Sequence, residues 1–410
     1  MRLCCVLTFV GALTADASAE DAFALPSPLP IAAVVRLAKA RRGEVIAARA
    51  RTRAANERPA MVSALEDPEV FASIDHVPFA LGGADMSLAV QQRFPLSHVR
   101  GHRQRAAEAE ARGALAEIDR VRLNVELEAA SAFWMLAETR ETAMILDDQR
   151  ALAAQMVAAA TARYATNTGA QADVLRAELE VDRLDGDRQA LAAEIRAAEV
   201  MLATSIARAP DAPIPALEVA VFDGEPPAAA EVASAAIAAR PELRAGRAEV
   251  ARAQADVSVM KSMYTPMAMV RIGPSYTMSD GAGWMVMVGL SIPLWRDKLG
   301  AQVREARAMA DMTSADLDAM RRMITGDAVA ARERVAAARA RYLALRDRIV
   351  PRAGEAIAPT LTAYASNQLP LLSALEAAQA LWSVQRELVM SRAELGRAWA
   401  RLSRATGDSP

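Results

Sequence analysis

Arg42-Gly43-Glu44-Val45, followed by Arg49, returns as Arg240-Pro241-Glu242-Leu243, followed by Arg247, 198 residues later. Phe94-Pro95-Leu96 returns as Ile292-Pro293-Leu294 at the same offset, and Tyr164-Ala165-Thr166-Asn167 returns as Tyr364-Ala365-Ser366-Asn367 at 200. The spacing is far longer than a solenoid repeat, so a whole architectural unit is duplicated. Each copy reads in one order: helix, two short strands, a very long helix, a turn, and a helix back. The boundaries follow: a leader over 1–19, a first repeat over 20–208, a proline-rich linker over 209–228 and a second repeat over 229–407.

The long helix is the clearest single element. Between Gly113 and Gly169 there is neither glycine nor proline. Started near Arg100, such a helix has roughly 65 residues and a length of ~100 Å. No compact domain contains it, which leaves a coiled coil or the wall of a tube. The return helix is expected over Asp173 to Arg208. In the second copy the pair is expected over Leu299 to Ala363 and Leu371 to Arg404, kinked at Pro351 and Pro359. A first helix is expected from Ile31 to Glu57. Asn167 and Asn367 suit the left-handed conformation that stops a helix, and Asp173 and Ser373 suit the capping of the helix that returns. Tyr164, Asn167, Gly169 and Asp173, with Tyr364, Asn367 and Ser373, therefore mark two hairpin tips.

Two strands precede each long helix. Val70 to Val77 is the first, and a loop at Leu81-Gly82-Gly83 leads to the second. There Met86, Leu88, Val90 and Phe94 alternate with Asp85, Ser87, Gln91 and Arg93, the period of a half-buried strand. In the second copy Met267 to Ile272 is followed by the loop Gly281 to Gly283. Trp284, Val286, Val288, Leu290 and Ile292 then line one face of a strand that Pro293 ends. Strands of ~8–10 residues have the length of a tilted membrane-spanning strand. Lipid admits strands only in closed barrels, and the smallest bacterial barrels have eight. Four per chain cannot close one; three copies supply twelve.

Composition agrees with an elongated helical body. Aromatics are 4% and charged residues 24% of the chain, and alanine, abundant throughout, makes thin, closely packed helical cores. The net charge of −2 gives no reason to expect nucleic acid. The arginines read as solvated helix faces paired with glutamates, as Arg244 and Arg247 beside Glu249. Arg2, the apolar run Leu3 to Leu13 and Ala17-Ser18-Ala19 form a secretory signal cut after Ala19. Both cysteines, Cys4 and Cys5, lie inside it. No later run reaches the ~18 uncharged apolar residues of a membrane-spanning helix.

These residues resemble the TolC-like outer-membrane factor family over nearly the whole mature chain. Arg240-Pro241-Glu242-Leu243-Arg244 with Tyr264-Thr265-Pro266 resembles the start of that family's second half. Tyr-x-x-Gly before a Leu-x-Ala-Glu/Gln helix start is its tip motif, with Asn167 and Asn367 standing here in the glycine place. Ile349-Val350-Pro351, Arg401-Leu402 and Thr406-Gly407 also fit. The resemblance implies a mostly α protein with a small β part and an internal two-fold repeat. Long α-helical hairpins and four transmembrane β-strands per chain then build a trimeric 12-strand β-barrel on an α-helical tunnel. It implies a homotrimer in outer-membrane lipid, a passive exit duct with no cofactor, docked through its tips to a periplasmic adaptor (membrane fusion) protein and an inner-membrane efflux pump. Leu65-Glu66-Asp67-Pro68-Glu69, Gln92-Arg93-Phe94-Pro95-Leu96 and Ile292-Pro293-Leu294-Trp295-Arg296 are similar to the heavy-metal efflux branch, which makes copper or cobalt–zinc–cadmium export the leading cargo. Multidrug and type I secretion ducts of the same family are the alternatives. Members close their tunnels at the tips, often with acids; this chain has Asp173 at the first tip and no acid at the second.

Outside the resemblance, His98 and His102 stand four residues apart at a helix start, a spacing that can chelate a metal, although a polar joint is the simpler reading. Met260, Met263, Met267, Met269, Met278, Met285 and Met287 cluster around the second strand pair. Thioethers suit Cu(I) and equally suit irregular packing. No nucleophile motif, phosphate loop or zinc spacing appears, so an enzyme is not expected. A periplasmic coiled-coil scaffold or adaptor is the competing class, and it predicts no barrel.

Overall fold

The computed structural model of the chain describes residues 25–75, 84–220 and 223–407. The leader, both cysteines, Val77 and the loop at Leu81-Gly82-Gly83 lie outside the described residues. The order is β1 (Leu29–Pro30), α1 (Ile31–Arg41), α2 (Gly43–Ser63), β2 (Glu69–Asp75), β3 (Asp85–Pro95), α3 (Val99–Ala165) and α4 (Gln171–Ser205). It repeats as β4 (Leu217–Glu218), α5 (Ala229–Ala239), α6 (Pro241–Ser262), β5 (Met267–Thr277) and β6 (Gly281–Ser291). Then come α7 (Arg296–Ala344), a π-helical segment (Leu345–Ile349), α8 (Val350–Glu355), α9 (Ile357–Ala365) and α10 (Leu371–Thr406). The fold is mostly helical with a small sheet. No helix among the described residues is long and apolar enough to cross a membrane.

The 67 residues of α3 begin one residue before the expected Arg100 and take in nearly all of the run between Gly113 and Gly169, and at the standard rise they span ~100 Å. Its second-copy counterpart does bend where proline predicts. Pro351 and Pro359 cannot bond the carbonyls four residues back, those of Asp347 and Glu355. Helical geometry widens to π over Leu345–Ile349, around the first of these, and α8 ends at the second.

The expected helix from Ile31 to Glu57 is instead two. Arg42 is extended (ψ 131°), as is Arg240 (ψ 122°) in the second copy. Residue 240 precedes a proline, which disfavours helical ψ, and Pro241 then opens α6, where its missing N–H costs nothing. Each arginine turns back onto the glutamate two residues on. Arg42 Nε and Nη2 donate to Glu44 at 2.9 and 2.6 Å, and Arg240 does the same to Glu242 at 2.8 and 3.0 Å. The duplicated Arg-x-Glu is thus a staple across a helix break. The expected pairing of Arg244 with Glu249 does not form: Arg244 reaches Asp119 on α3 at 3.0 Å, and Glu249 pairs one turn along with Arg252 at 2.9 Å. Five residues separate Arg244 from Glu249, off the three-to-four spacing that brings helical side chains together.

In the second copy the staple is part of a shielded network. Glu242 also accepts from Arg404 Nη2 at 2.6 Å, and Arg404 Nε donates to Asn124 at 2.7 Å. Arg240 Nη1 donates to the carbonyls of Arg404 and Ala405 at the end of α10. Burial pushes the Glu242 carboxyl up, but Arg240, Arg404 and its own backbone N–H outweigh burial and hold it at about 2. A depressed carboxylate contributes stability that is complete above its unfolded value near 4.5 and lost as pH falls through about 2. The shift corresponds to about 3 kcal/mol. The melting temperature of wild type is therefore expected to fall across this window more than that of Glu242→Gln, measured by circular dichroism. Parallel curves for the two proteins would refute the assignment.

The core is a thin seam along the helices. Ala129, Ala130, Ala198 and Ala203 are fully buried, with Phe133, Leu136 and Leu202 the larger side chains among them. A second cluster, around Met156, Tyr364, Leu371 and Trp382, holds the far ends of the two hairpins together. The proline-rich stretch returns to the start of the chain, where β4 pairs with β1 in parallel, Leu217 opposite Leu29.

Candidate functional site: a bare apolar sheet face and two hairpin tips

The four long strands form one antiparallel sheet in the order β2-β3-β5-β6. Register puts Val70, Val90, Ile272 and Val286 in one cross-strand row, and Ile74, Met86, Tyr276 and Ala282 in another. These rows share a face with Leu88, Trp284, Val288 and Leu290. The expected apolar alternation is present, but the apolar side is the uncovered one. Val70 is 69%, Val288 71% and Trp284 75% exposed. The face beneath is polar and better shielded. Ser73 and Ser87 share a hydrogen bond of 2.7 Å, Arg271 donates twice to Gln91 at 3.0 and 2.7 Å, and its guanidinium lies 4.4 Å from the centre of the Phe71 ring. Gln91 is only 3% exposed. β2 and β6 end the sheet with unpaired edges.

Gly273 lets β5 approach β3: a Cβ there would sit 1.9 Å from the Leu88 carbonyl oxygen. The clustered methionines are divided. Met260 and Met263 end α6, Met278 lies in the β5–β6 turn, and Met267, Met269, Met285 and Met287 fall on the polar face. Met269 folds over Gly289, where a Cβ would be 2.8 Å from its methyl. His102 is engaged by Arg105, whose Nη2 lies 2.6 Å from Nδ1. Partial burial, then Arg105, then His98 hold its imidazole below the usual range. No group of three metal-ligating histidine, cysteine or acidic side chains exists among the described residues.

At the other end of α3 the two tips are built alike. Asn167 (φ 58°) and Asn367 (φ 60°) are left-handed, as expected. The N–H of Thr168 bonds the Arg163 carbonyl at 2.9 Å, and that of Gln368 the Ala363 carbonyl at 2.8 Å, the closure that satisfies a helix end. Gly169 packs closely: a Cβ would lie 2.9 Å from that of Arg163. The second tip carries Leu369 at the matching place.

Asp173 and Ser373 do not cap. Ala170 (ψ 146°) and Pro370 (ψ 159°) hold the N-cap positions with extended backbone, and neither helix has a side-chain cap. Each helix therefore starts three residues earlier than the capping reading requires. Asp173 sits in the first turn of α4, where its charge favours the helix dipole, 3.9 Å from Arg176. Ser373 holds the matching place in α10.

The matched tyrosines have separated roles. Tyr164 is 47% exposed, while Tyr364 is 1% exposed and lies in the seam between the hairpins. Burial pushes the Tyr364 phenol up, the nearby Asp173 carboxylate adds to it, and Arg163 opposes both. Arg163 is the tip residue that motif reasoning passed over. Its guanidinium lies 4.5 Å from the centre of the Tyr364 ring, donates to the Tyr364 carbonyl at 2.9 Å and to the Thr168 carbonyl at 3.0 Å, and bonds the Asn367 side chain. One side chain ties the two tips together. Its only trace in sequence is that the repeats differ there, Arg163 against Ala363. Around this joint Leu175, Leu179 and Leu372 are exposed apolar side chains.

Residues 232–408 match the family model described as outer membrane efflux protein. A search of curated proteins finds no match to the sequence. Solved structures match nearly end to end. VceC, an outer membrane protein from Vibrio cholerae, superposes with a TM-score of 0.78 at 16% identity, over 92% of this chain and 96% of that one. The MtrE outer membrane channel of Neisseria gonorrhoeae, in its open state, gives 0.76 at 16%, over 92% and 89%. CusC, described through conformational changes accompanying folding and transmembrane channel formation, gives 0.79 at 13%, over 92% of each chain. The chain as a whole therefore has the fold of these outer-membrane channels, and its second half, residues 232–408, carries the sequence signature of the outer membrane efflux protein family.

Proposed function

We propose that the chain is a protomer of an outer-membrane efflux channel and a member of the outer membrane efflux protein family throughout its mature length. Its four long strands join those of two further copies in a 12-strand barrel, and its helical hairpins form a tunnel in the periplasm. The observation that carries this reading is the sheet. Its apolar face is bare along strands of up to 11 residues, and both edges are open. In water such a surface aggregates; in lipid it is satisfied once the edges close on other strands. A soluble scaffold would have no use for it.

The duct is passive, exported by a leader cleaved after Ala19. The tips dock a periplasmic adaptor fed by an inner-membrane pump, and the exposed Leu175, Leu179 and Leu372 supply apolar contact. The lead-in Leu65-Glu66-Asp67-Pro68-Glu69 favours heavy-metal cations as cargo. The native mass of the unheated protein, solubilised from the outer-membrane fraction, is expected at about three times the 43.7 kDa of the chain. A soluble monomer or dimer would overturn the duct reading.

A further inference from the structure

Part-way along α3, where the two halves of the chain meet, lies a groove of about 540 Å³. It is lined by Arg36 and Lys39 of α1, Arg49 of α2, Arg122 of α3 and Arg244 of α6, against two carboxylates, Asp119 and Glu126. Asp119 is shared by Arg122 at 3.1 Å and Arg244 at 3.0 Å, and Glu126 takes Lys39 at 3.1 Å. Arg36 and Arg49 meet no carboxylate among the described residues. Both are exposed to solvent. The remaining walls are small or apolar: Ala40, Leu123, Ala239 and Pro241. Five basic groups against two carboxylates leave three positive charges in excess, a local field that draws anions.

A guanidinium fork matches a carboxylate in two parallel bonds. The two unpartnered forks stand on different helices, on either side of the break at Arg42, and each can take one carboxylate in bidentate geometry. We propose that this groove binds an anion carrying two or more carboxylates. Arg122 lies 23 residues beyond Val99 on α3, ~35 Å from the sheet. In the duct reading that depth is periplasm, where the carboxylate-rich peptide stems of murein and free polycarboxylates are the two sources. The murein source rests on the duct reading; the anion site does not.

The test uses the full chain in detergent, titrated calorimetrically with citrate, and with acetate as control, at constant ionic strength. Citrate is expected to saturate, and Arg36→Gln combined with Arg49→Gln to weaken it by about tenfold or more, with native mass and melting temperature unchanged. Absence of saturation, equal affinity in the variant, or acetate binding as tightly as citrate overturns the proposal. Co-sedimentation with isolated murein sacculi that citrate displaces assigns the ligand to the wall. Citrate binding without co-sedimentation supports a free polycarboxylate. The native mass of the same samples reports separately on the trimer.

Discussion

Gly396→Leu is expected to abolish accumulation of folded protein. Where α10 crosses α3, a Cβ on residue 396 would lie 2.0 Å from Cε2 of Trp134 and 2.4 Å from two further ring atoms. The indole has nowhere to go. Trp134 is 4% exposed and stands edge-on to Phe133, itself 1% exposed, with ring centres 5.5 Å apart. Overpacking a relaxed core costs ~1–3 kcal/mol. Here the obstacle is a locked aromatic, and the two helices must part along a seam otherwise filled by alanine. Gly396→Ala is the milder form, its clash opposed by the ~1 kcal/mol that alanine gains over glycine within a helix. Gly186→Ala is the control, because nothing lies within 4 Å of a Cβ there. The measurement is recovery of protease-resistant protein at equal expression. The expected order is Gly186→Ala at or above wild type, Gly396→Ala reduced and Gly396→Leu lost. Normal recovery of Gly396→Leu would mean that α3 and α10 do not pack as described.

The features legible in the sequence were those with a local cause. The length of α3 follows from a run without proline whose two glycines lie in its first fifteen residues. The bends after α7 follow from two prolines and the carbonyls they leave unpaired. The tips follow from asparagines whose side chains tolerate a left-handed backbone. The features that were not legible are set by contacts between distant parts of the chain. The break at Arg42 has no proline; it is held by Glu44 and by Glu128 on α3, the latter 2.8 Å away. Asp173 and Ser373 look like caps because capping residues are usually polar, yet Ala170 and Pro370 hold the N-cap places with extended backbone and no side-chain bond. The alternation of β3 and β6 shows which residues share a face, but not whether water, protein or lipid covers it. Arg163 is the sharpest case, since its partners at the second tip lie 201 and 204 residues away.

That joint supports the second large effect. In the proposed duct, Asn167→Val combined with Asn367→Val is expected to abolish export while leaving trimers intact. Both residues have φ near +60°, where a β-branched side chain collides with its own backbone. Each substitution costs ~1–3 kcal/mol if the turn is kept, so the helix ends re-form elsewhere and the exposed leucines beside them are displaced. Loss of the Asn367 amide also removes one anchor of Arg163, which lets the tips separate. The damage stays local because ~100 Å of helix stands between the tips and the sheet, and strand pairing does not depend on the turns. The paired glycine variant, Asn167→Gly with Asn367→Gly, keeps the left-handed backbone and is expected to retain adaptor capture, apart from what the lost Arg163 bond contributes. Three readouts separate the cases: native mass for the trimer, cross-linking to the adaptor for docking, and cellular retention of copper and zinc for export. In the proposed metal-exporting duct, retained trimers with lost cross-linking and raised metal retention are expected of the valine pair. Unimpaired export by that pair would remove the tips from the docking surface.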